Sequence, residues 1–282
     1  MLQRNIFTYW EQGFDHAPGV IVKCLQQMQR LHPTWTVNAL DQHSIGPLAG
    51  ERPVSAEIWG KLGRAHRSDL LRTQLLIRHG GVWMDPTVFC VRPLDDWLPD
   101  CMAGGVFFFQ KPGPDRLISN WFIAAERGNL ILERLLARLV AFWERASVGQ
   151  SGLLPNPLEK LAIRVLERHH RLSRWRVREP WRRLFSESPY MVYHYILSDL
   201  VLTDPEAKAV WRRVPGVPAG PPHDLQDFGL CKPANSEVEN LLAGGGAPVF
   251  KLTWKDLPEI PAADTILGRI FSIADRQAEA PV

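Results

Sequence analysis

The sequence predicts an α/β fold built around a parallel sheet. Two observations carry this. A strand, a helix and a second strand follow one another within about the first forty residues, which favours parallel pairing across a helical crossover. Further on, Ser68-Asp69-Leu70-Leu71-Arg72 runs in helical pattern to His79-Gly80-Gly81, and Val82-Trp83-Met84 then delivers Asp85-Pro86-Thr87. That is a helix, a two-glycine stop and a short apolar strand with a carboxylate at its carboxyl end, where open α/β sheets bind ligands. With 282 residues, 45% hydrophobic and 22% charged, the chain has room for one large α/β domain or two small ones, and no linker forces a second.

Taken in order, Ile6 to Trp10 is β-branched and aromatic and stops at Gln12-Gly13, a first strand. From Pro18 to Leu31, the residues Ile21, Cys24, Leu25, Met28 and Leu31 keep helical spacing, and His32-Pro33 ends the helix. Trp35 to Leu40 is the second strand. A polar stretch from Gln42 to Pro53 leads through short helices to the Ser68–His79 helix, which Gly80-Gly81 caps. Val82–Met84 and Val88–Val91 are extended, and Gly104–Phe109 is a further buried strand. Helices are expected from the Asn129 cap to about Arg145 and from Asn156-Pro157 onward, with Leu158, Leu161, Ala162, Val165 and Leu166 apolar. Two more are expected over Tyr193–Leu202 and Asn235–Ala243. Pro215–Pro222 reads as a proline-rich loop, Gly244-Gly245-Gly246 as a break, and Pro248–Leu252 as a late strand. A polar tail after Ala274 is expected to fray.

Charge and composition exclude several classes. A net charge of +3 is too mild to imply nucleic acid. The start of the chain turns polar at Glu11 and lacks the apolar core of a secretory signal. No apolar run approaches the ~18 residues of a spanning helix. Four cysteines without a Cys-x-x-Cys pair read as reduced, buried thiols, so a cytoplasmic protein is expected. Eleven tryptophans against four tyrosines is an unusual ratio; most are expected to fill the core, and some to face sugar rings.

Asp85 is the strongest candidate for chemistry. The proline after it excludes the α region, so the side chain leaves the strand end in a fixed direction. A hard cation such as Mg²⁺ or Mn²⁺ takes oxygen ligands, and Asp85 with the Thr87 hydroxyl would offer two on one side of an extended segment. Asp69 and Arg72 are i,i+3 neighbours. They either ion-pair as surface decoration or bind sugar hydroxyls and diphosphate. Lys251 and Lys255, flanking Trp254, are candidates for neutralising a diphosphate, against the alternative of solvated lysines. His194, Asp199 and the pair His223-Asp224 are polar groups in aromatic surroundings, and one of the acids would serve an inverting enzyme as base. The arginines from Arg164 to Arg183, interleaved with Trp175, Trp181 and Phe185, form either a solvated face or a membrane-surface or anionic-acceptor site.

The segment SDLLRTQLLIRHGGVWMDPTVFCVRPL, from Ser68 to Leu94, resembles the core of the capsular polysaccharide synthesis glycosyltransferases, relatives of enzymes with an Asp-x-Asp sugar-binding motif. The resemblance extends to IFTYWEQGFDHAPGVIVKCLQQMQRLHPTWTV at the start, to SNWFIAAERGN around Asn120 and to VFKLTWK near the end. It implies a type A glycosyltransferase fold over residues 1–275, with a nucleotide-sugar core to about 125, a helical acceptor side to about 275, and a tail at 276–282. By the same resemblance Tyr9 and Trp10 lie near the uridine, and Asp69 and Arg72 hold the donor sugar. Trp83, Trp121, Lys251, Trp254 and Lys255 belong to the substrate-binding wall. Asp85 binds the metal, the ribose or both, and Asn120 sits near the anomeric centre. The implied cofactor is Mn²⁺ or Mg²⁺, held by Asp85 and Thr87, with Thr87 standing where the motif has a second acid. The implied partners are a nucleotide-sugar donor and a glycan or lipid-linked acceptor, with peripheral contact at the inner membrane face. An alternative reading is a catalytically degenerate subunit that binds nucleotide sugar or glycan. An oxidoreductase is disfavoured, because no Gly-x-Gly-x-x-Gly follows the first strand.

Overall fold

Strands β1 (Asn5–Tyr9) and β2 (Thr36–Leu40) pair in parallel across helix α1 (Gly19–Leu31) in the computed structural model of the protein, which describes residues 1–145, 153–186 and 188–276. Short helices α2 (Ile45–Ala49) and α3 (Ala56–Lys61) lead into α4 (Arg64–His79), which begins four residues before the helix read from the sequence. The two-glycine stop is real. Gly80 takes φ +64° and Gly81 φ +105°, and a side chain at Gly81 would place its Cβ 2.3 Å from the Asn5 carbonyl oxygen. That close approach lets β3 (Gly81–Met84) lie in parallel against β1.

Strand β4 (Val88–Cys90) leaves the sheet, and β5 (Val106–Gly113) and β6 (Arg116–Ala125) form a hairpin. The sheet order is β2-β1-β3-β6-β5. The expected parallel sheet is therefore mixed: β6 runs antiparallel to both β3 and β5. The Pro114-Asp115 connection is far too short for a helical crossover, so those strands can only run antiparallel. β6 is absent from the sequence reading because Leu117, Ile118, Ser119 and Trp121 to Ala125 are all buried, which erases the alternation that marks a half-exposed strand.

The remaining helices are α5 (Leu130–Arg145), α6 (Asn156–Leu166), α7 (His170–Ser173), α8 (Val192–Thr203), α9 (Pro205–Trp211), α10 (Asp224–Phe228), α11 (Ser236–Leu242) and α12 (Ile266–Asp275). Strand β7 (Val249–Lys251) pairs antiparallel with β4 in a second, two-stranded sheet. The sequence reading contains neither α9 nor α12. The polar tail beyond residue 276 lies outside the described residues.

Alternate side chains of the strands feed two layers. Phe7, Trp83, Phe108 and Ile123 pack against Leu75 of α4, Leu135 of α5 and Ile196 of α8. Ile6, Val82, Phe107 and Phe122 pack against Met28 of α1 and Trp97 on the other face. A third cluster joins Ile21 and Cys24 of α1 to Phe250 of β7 and Ile270 of α12. The expectation of four buried thiols holds for Cys24 and Cys90; Cys101 is half-buried, and Cys231, in the turn after α10, is exposed.

Candidate active site

The carboxyl end of β3 opens on a cavity of about 710 Å³. β1 contributes Tyr9 and Trp10 from its own carboxyl end, α4 contributes Ser68, Asp69 and Arg72, and β6 contributes Asn120 and Trp121. Asp85 is pinned there by its backbone, whose N–H donates to the Trp121 carbonyl at 2.8 Å. Pro86 then holds Asp85 extended, so its carboxylate points off the strand end.

Three groups grip that carboxylate. The Trp83 indole N–H donates to Oδ1 at 3.0 Å, the Lys251 ammonium donates to Oδ2 at 3.0 Å, and Arg72 Nη1 lies 3.7 Å from Oδ1. Burial alone would raise the Asp85 pKa, yet Lys251 and Arg72 hold it below the usual carboxylate range. Lys251 also donates to the Thr87 hydroxyl at 2.6 Å. The antiparallel register of β4 with β7 places Lys251 opposite Val88, beside Thr87 and Asp85.

Asp69 and Arg72 are not surface decoration, since each is only 6% exposed. Asn120 Nδ2 donates to Asp69 Oδ1 at 2.8 Å, and Arg72 Nε lies 3.7 Å from the same oxygen. Arg72 also donates to the Asn120 carbonyl and to Ser68 Oγ, and its guanidinium stacks 4.9 Å above the Trp83 ring. Burial pushes the Asp69 carboxyl up to about 6, against the pull of Arg72.

The two lysines part company. Lys251 lines the cavity, while Lys255 is exposed outside its wall, 6.0 Å over the Trp254 ring. Trp254 itself meets Trp10 edge-on at 5.5 Å, so the first strand and the late strand close one side of the cavity together. Of the remaining polar candidates, His194 and His223 line the cavity. Burial, with Arg116 and Arg72 nearby, pushes His194 down to about 3, so it is a neutral imidazole at physiological pH. Asp199 instead pairs with Arg138 at 2.9 Å and Arg174 at 3.4 Å, away from the cavity, and Asp224 is also outside its wall. Sequence reasoning missed Ser68, Ser119, Arg116 and Tyr190, which also line the cavity. Ser68 stood in the quoted motif, but its service to Arg72 needs the helix turn to be seen. Buried polar atoms on this wall, Trp10 Nε1, Ser119 Oγ, Trp121 Nε1 and His194 Nδ1, find no partner among the described residues.

The donor set can be tested against a divalent metal. Mg²⁺ and Mn²⁺ take oxygen ligands, with carboxylates dominant. Asp85 and Thr87 supply two oxygens, and Lys251 holds both. The other carboxylates of the wall are engaged too, Asp69 by Asn120 and Glu11 by Arg64 at 2.8 Å. Among the described residues no group of three His, Cys, Asp or Glu side chains is placed to hold a metal ion. Among the described residues Asp85 and Thr87 are thus the expected oxygen ligands, and both already contact Lys251.

The sequence model for capsular polysaccharide synthesis proteins matches residues 1–150, which carry Tyr9, Asp69, Arg72, Asp85 and Asn120. The chain belongs to that family. The chain is also similar to the O-glycosyltransferase braB of Annulohypoxylon truncatum, 29% identical over 175 residues, covering 55% of this chain and 41% of that protein. It is similar to the glycosyltransferase afumC of Aspergillus fumigatus, 28% identical over 174 residues, covering 55% and 44%. In each case the match spans less than half the length of the curated relative. The solved PaToxG glycosyltransferase overlays at a TM-score of 0.41 with 13% identity, covering 97% of this chain and 86% of that one, a likeness too distant to argue from.

Proposed function

We propose that this family member is a glycosyltransferase of the type A fold, moving a hexose from a nucleoside diphosphate sugar, UDP-linked first among them, to a hydroxyl of a glycan or lipid-linked acceptor. The proposed setting is surface polysaccharide synthesis on the cytoplasmic side. The observation that carries this reading is the cluster at the β3 end. Two carboxylates, Asp69 and Asp85, are held by two fixed cations, Arg72 and Lys251, in a cavity walled by indoles. Carboxylates suit sugar and ribose hydroxyls, cations suit a diphosphate, and indole faces suit a base or sugar ring.

In this reading Tyr9 and Trp10 receive the nucleoside, and Asp69 with Asn120 orients the donor sugar. As the bond from the anomeric carbon to the diphosphate breaks, negative charge builds on the departing oxygen. Lys251 uses two of its three N–H donors on Asp85 and Thr87 and keeps the third for that oxygen. Asp85 holds the ammonium in place. Cations built into the chain thus do the work expected of a metal, and Thr87 stands where a second carboxylate would overcharge the site.

The test is UDP release from a panel of UDP-sugars, with donor binding followed by thermal shift on wild type and Asp85→Ala. Turnover by wild type alone supports the reading. Binding without turnover of any donor would make the chain a nucleotide-sugar-binding subunit instead. Equal shifts for both proteins would remove Asp85 from the site.

A further inference from the structure

Helix α6 turns its apolar side outward. Leu158, Leu161 and Val165, at i, i+3 and i+7, share one stripe and are 53%, 55% and 42% exposed. No residue of α6 is buried. Leu153 and Leu154 precede it, and Leu172 of α7 follows at 39% exposure; Leu153 is 73% exposed. A row of leucines in solvent is uncommon on a free protein surface and marks a contact surface.

The charges around the stripe say what it contacts. Between residues 153 and 186 stand nine Lys and Arg against three Glu. The C-terminal part of this belt is spent internally. Arg174 and Arg178 pair with Asp199, Arg176 with Glu167, and Arg182 and Arg183 with Glu179. Phe185 is buried. Lys160, Arg164, Arg168 and Arg171 are exposed and make no ion pair among the described residues. Arg164 stands on α6 beside the leucine stripe, and Arg168 follows just beyond the helix end. Free cations beside an exposed apolar stripe are the pattern of a helix lying in a membrane interface.

We infer that α6 seats the protein on an anionic bilayer, with Leu158, Leu161 and Val165 inserted among acyl chains and Lys160, Arg164, Arg168 and Arg171 at the headgroups. Among the described residues no helix is long and apolar enough to cross a membrane, so this contact is peripheral. Its place in the fold gives it a consequence. The His170 N–H donates to the Pro114 carbonyl at 2.8 Å, and Ser173 Oγ donates to the Asp115 carbonyl at 2.7 Å. These bonds seat α7, against which α6 packs, on the turn between β5 and β6, whose arms give Pro112 and Arg116 to the cavity wall. Helix α6 is therefore joined to the cavity wall through α7 and the β5–β6 turn. If the transferase reading holds, the acceptor is the membrane-borne kind; the docking itself does not depend on that reading.

The test is co-sedimentation of the full chain with vesicles of equal parts phosphatidylglycerol and phosphatidylcholine, and with phosphatidylcholine alone. Wild type is expected to bind the anionic vesicles and to lose them in high salt. Leu158→Asp with Leu161→Asp is expected to weaken binding at least about tenfold, because two leucines leave the interface. Arg164→Glu with Arg168→Glu is expected to weaken it at least about fivefold, since each cation near an anionic leaflet strengthens binding about that much. All four positions are at the surface, so folding and UDP release from a soluble donor stay as in wild type. Failure of wild type to bind anionic vesicles, or equal binding by the variants, overturns the inference. So does a wild-type dimer that the leucine pair of substitutions dissociates in light scattering, which would make the stripe a contact between two copies of this chain.

Discussion

The Lys251 ammonium lies 3.0 Å from the Asp85 carboxylate, and the pairing of β4 with β7 holds it there. The two residues are 166 positions apart, brought together by a two-stranded sheet outside the main one. The contact gives Asp85 a fixed counter-charge at the carboxyl end of β3.

Replacing Lys251 by Ala removes the proposed donor to the leaving oxygen and strips Asp85 of a charge partner. The expected loss in kcat for UDP release is about 10²–10³-fold, the scale for removing one preorganised donor. Lys251→Arg keeps the charge with altered geometry and should retain part of the activity. Steady-state kinetics of both variants, with circular dichroism to confirm folding, checks this.

Arg72→Lys should behave as a severe change. The guanidinium serves the Asn120 carbonyl, Ser68 Oγ and the Trp83 ring together, which an ammonium cannot do. Donor KM is expected to rise about tenfold or more, equivalent to about 1.4 kcal/mol of lost binding. Titration of UDP-sugar binding reads it directly.

Asp69 sets an acid limb. Its carboxyl titrates near 6, raised from 3.8 by burial, so the ionised form that accepts sugar hydroxyls predominates only above that value. Donor affinity should fall as pH drops through about 6, and the limb should vanish in Asp69→Asn. Asp85 is held below the usual carboxylate range by Lys251 and Arg72, and burial lowers neighbouring His66, so the Asp69→Asn variant is what assigns the limb to Asp69. The stability sign is opposite. A raised folded pKa favours the fold fully below about 3.8, and that contribution is lost as pH rises through about 6. Asp69→Asn should therefore gain stability over wild type as pH rises toward neutrality, seen as a growing difference in Tm.

Gly81→Ala should weaken the fold without touching the cavity. The position holds φ +105°, and a Cβ would sit 2.3 Å from the Asn5 carbonyl oxygen. The expected cost is about 3 kcal/mol, from positive φ and the clash together, measured by urea unfolding.

Local rules made part of this site legible. Pro86 fixes Asp85, Gly80-Gly81 ends α4, and helical spacing puts Asp69 beside Arg72. Each of these is a relation among residues close in sequence. The contact of Lys251 with Asp85 and Thr87 depends on strand register across most of the chain, and nothing local encodes it. β6 escaped because a strand buried on both faces has no alternation to read. The stripe on α6 was read correctly as a helix with an apolar side, but periodicity says only that a side is apolar, not what covers it. Asp199 failed as a candidate base because three arginines, one of them on α5, claim it.

Lys251 and Arg72 are proposed to neutralise the diphosphate in place of a metal, and metal dependence reads this. Donor affinity and UDP release are compared in excess EDTA and in Mn²⁺, with the wild-type chain and its best UDP-sugar. Both values should agree within about twofold, because fixed cations already neutralise the diphosphate. A loss of about tenfold or more in EDTA that Mn²⁺ restores, and Mg²⁺ partly restores, would contradict it.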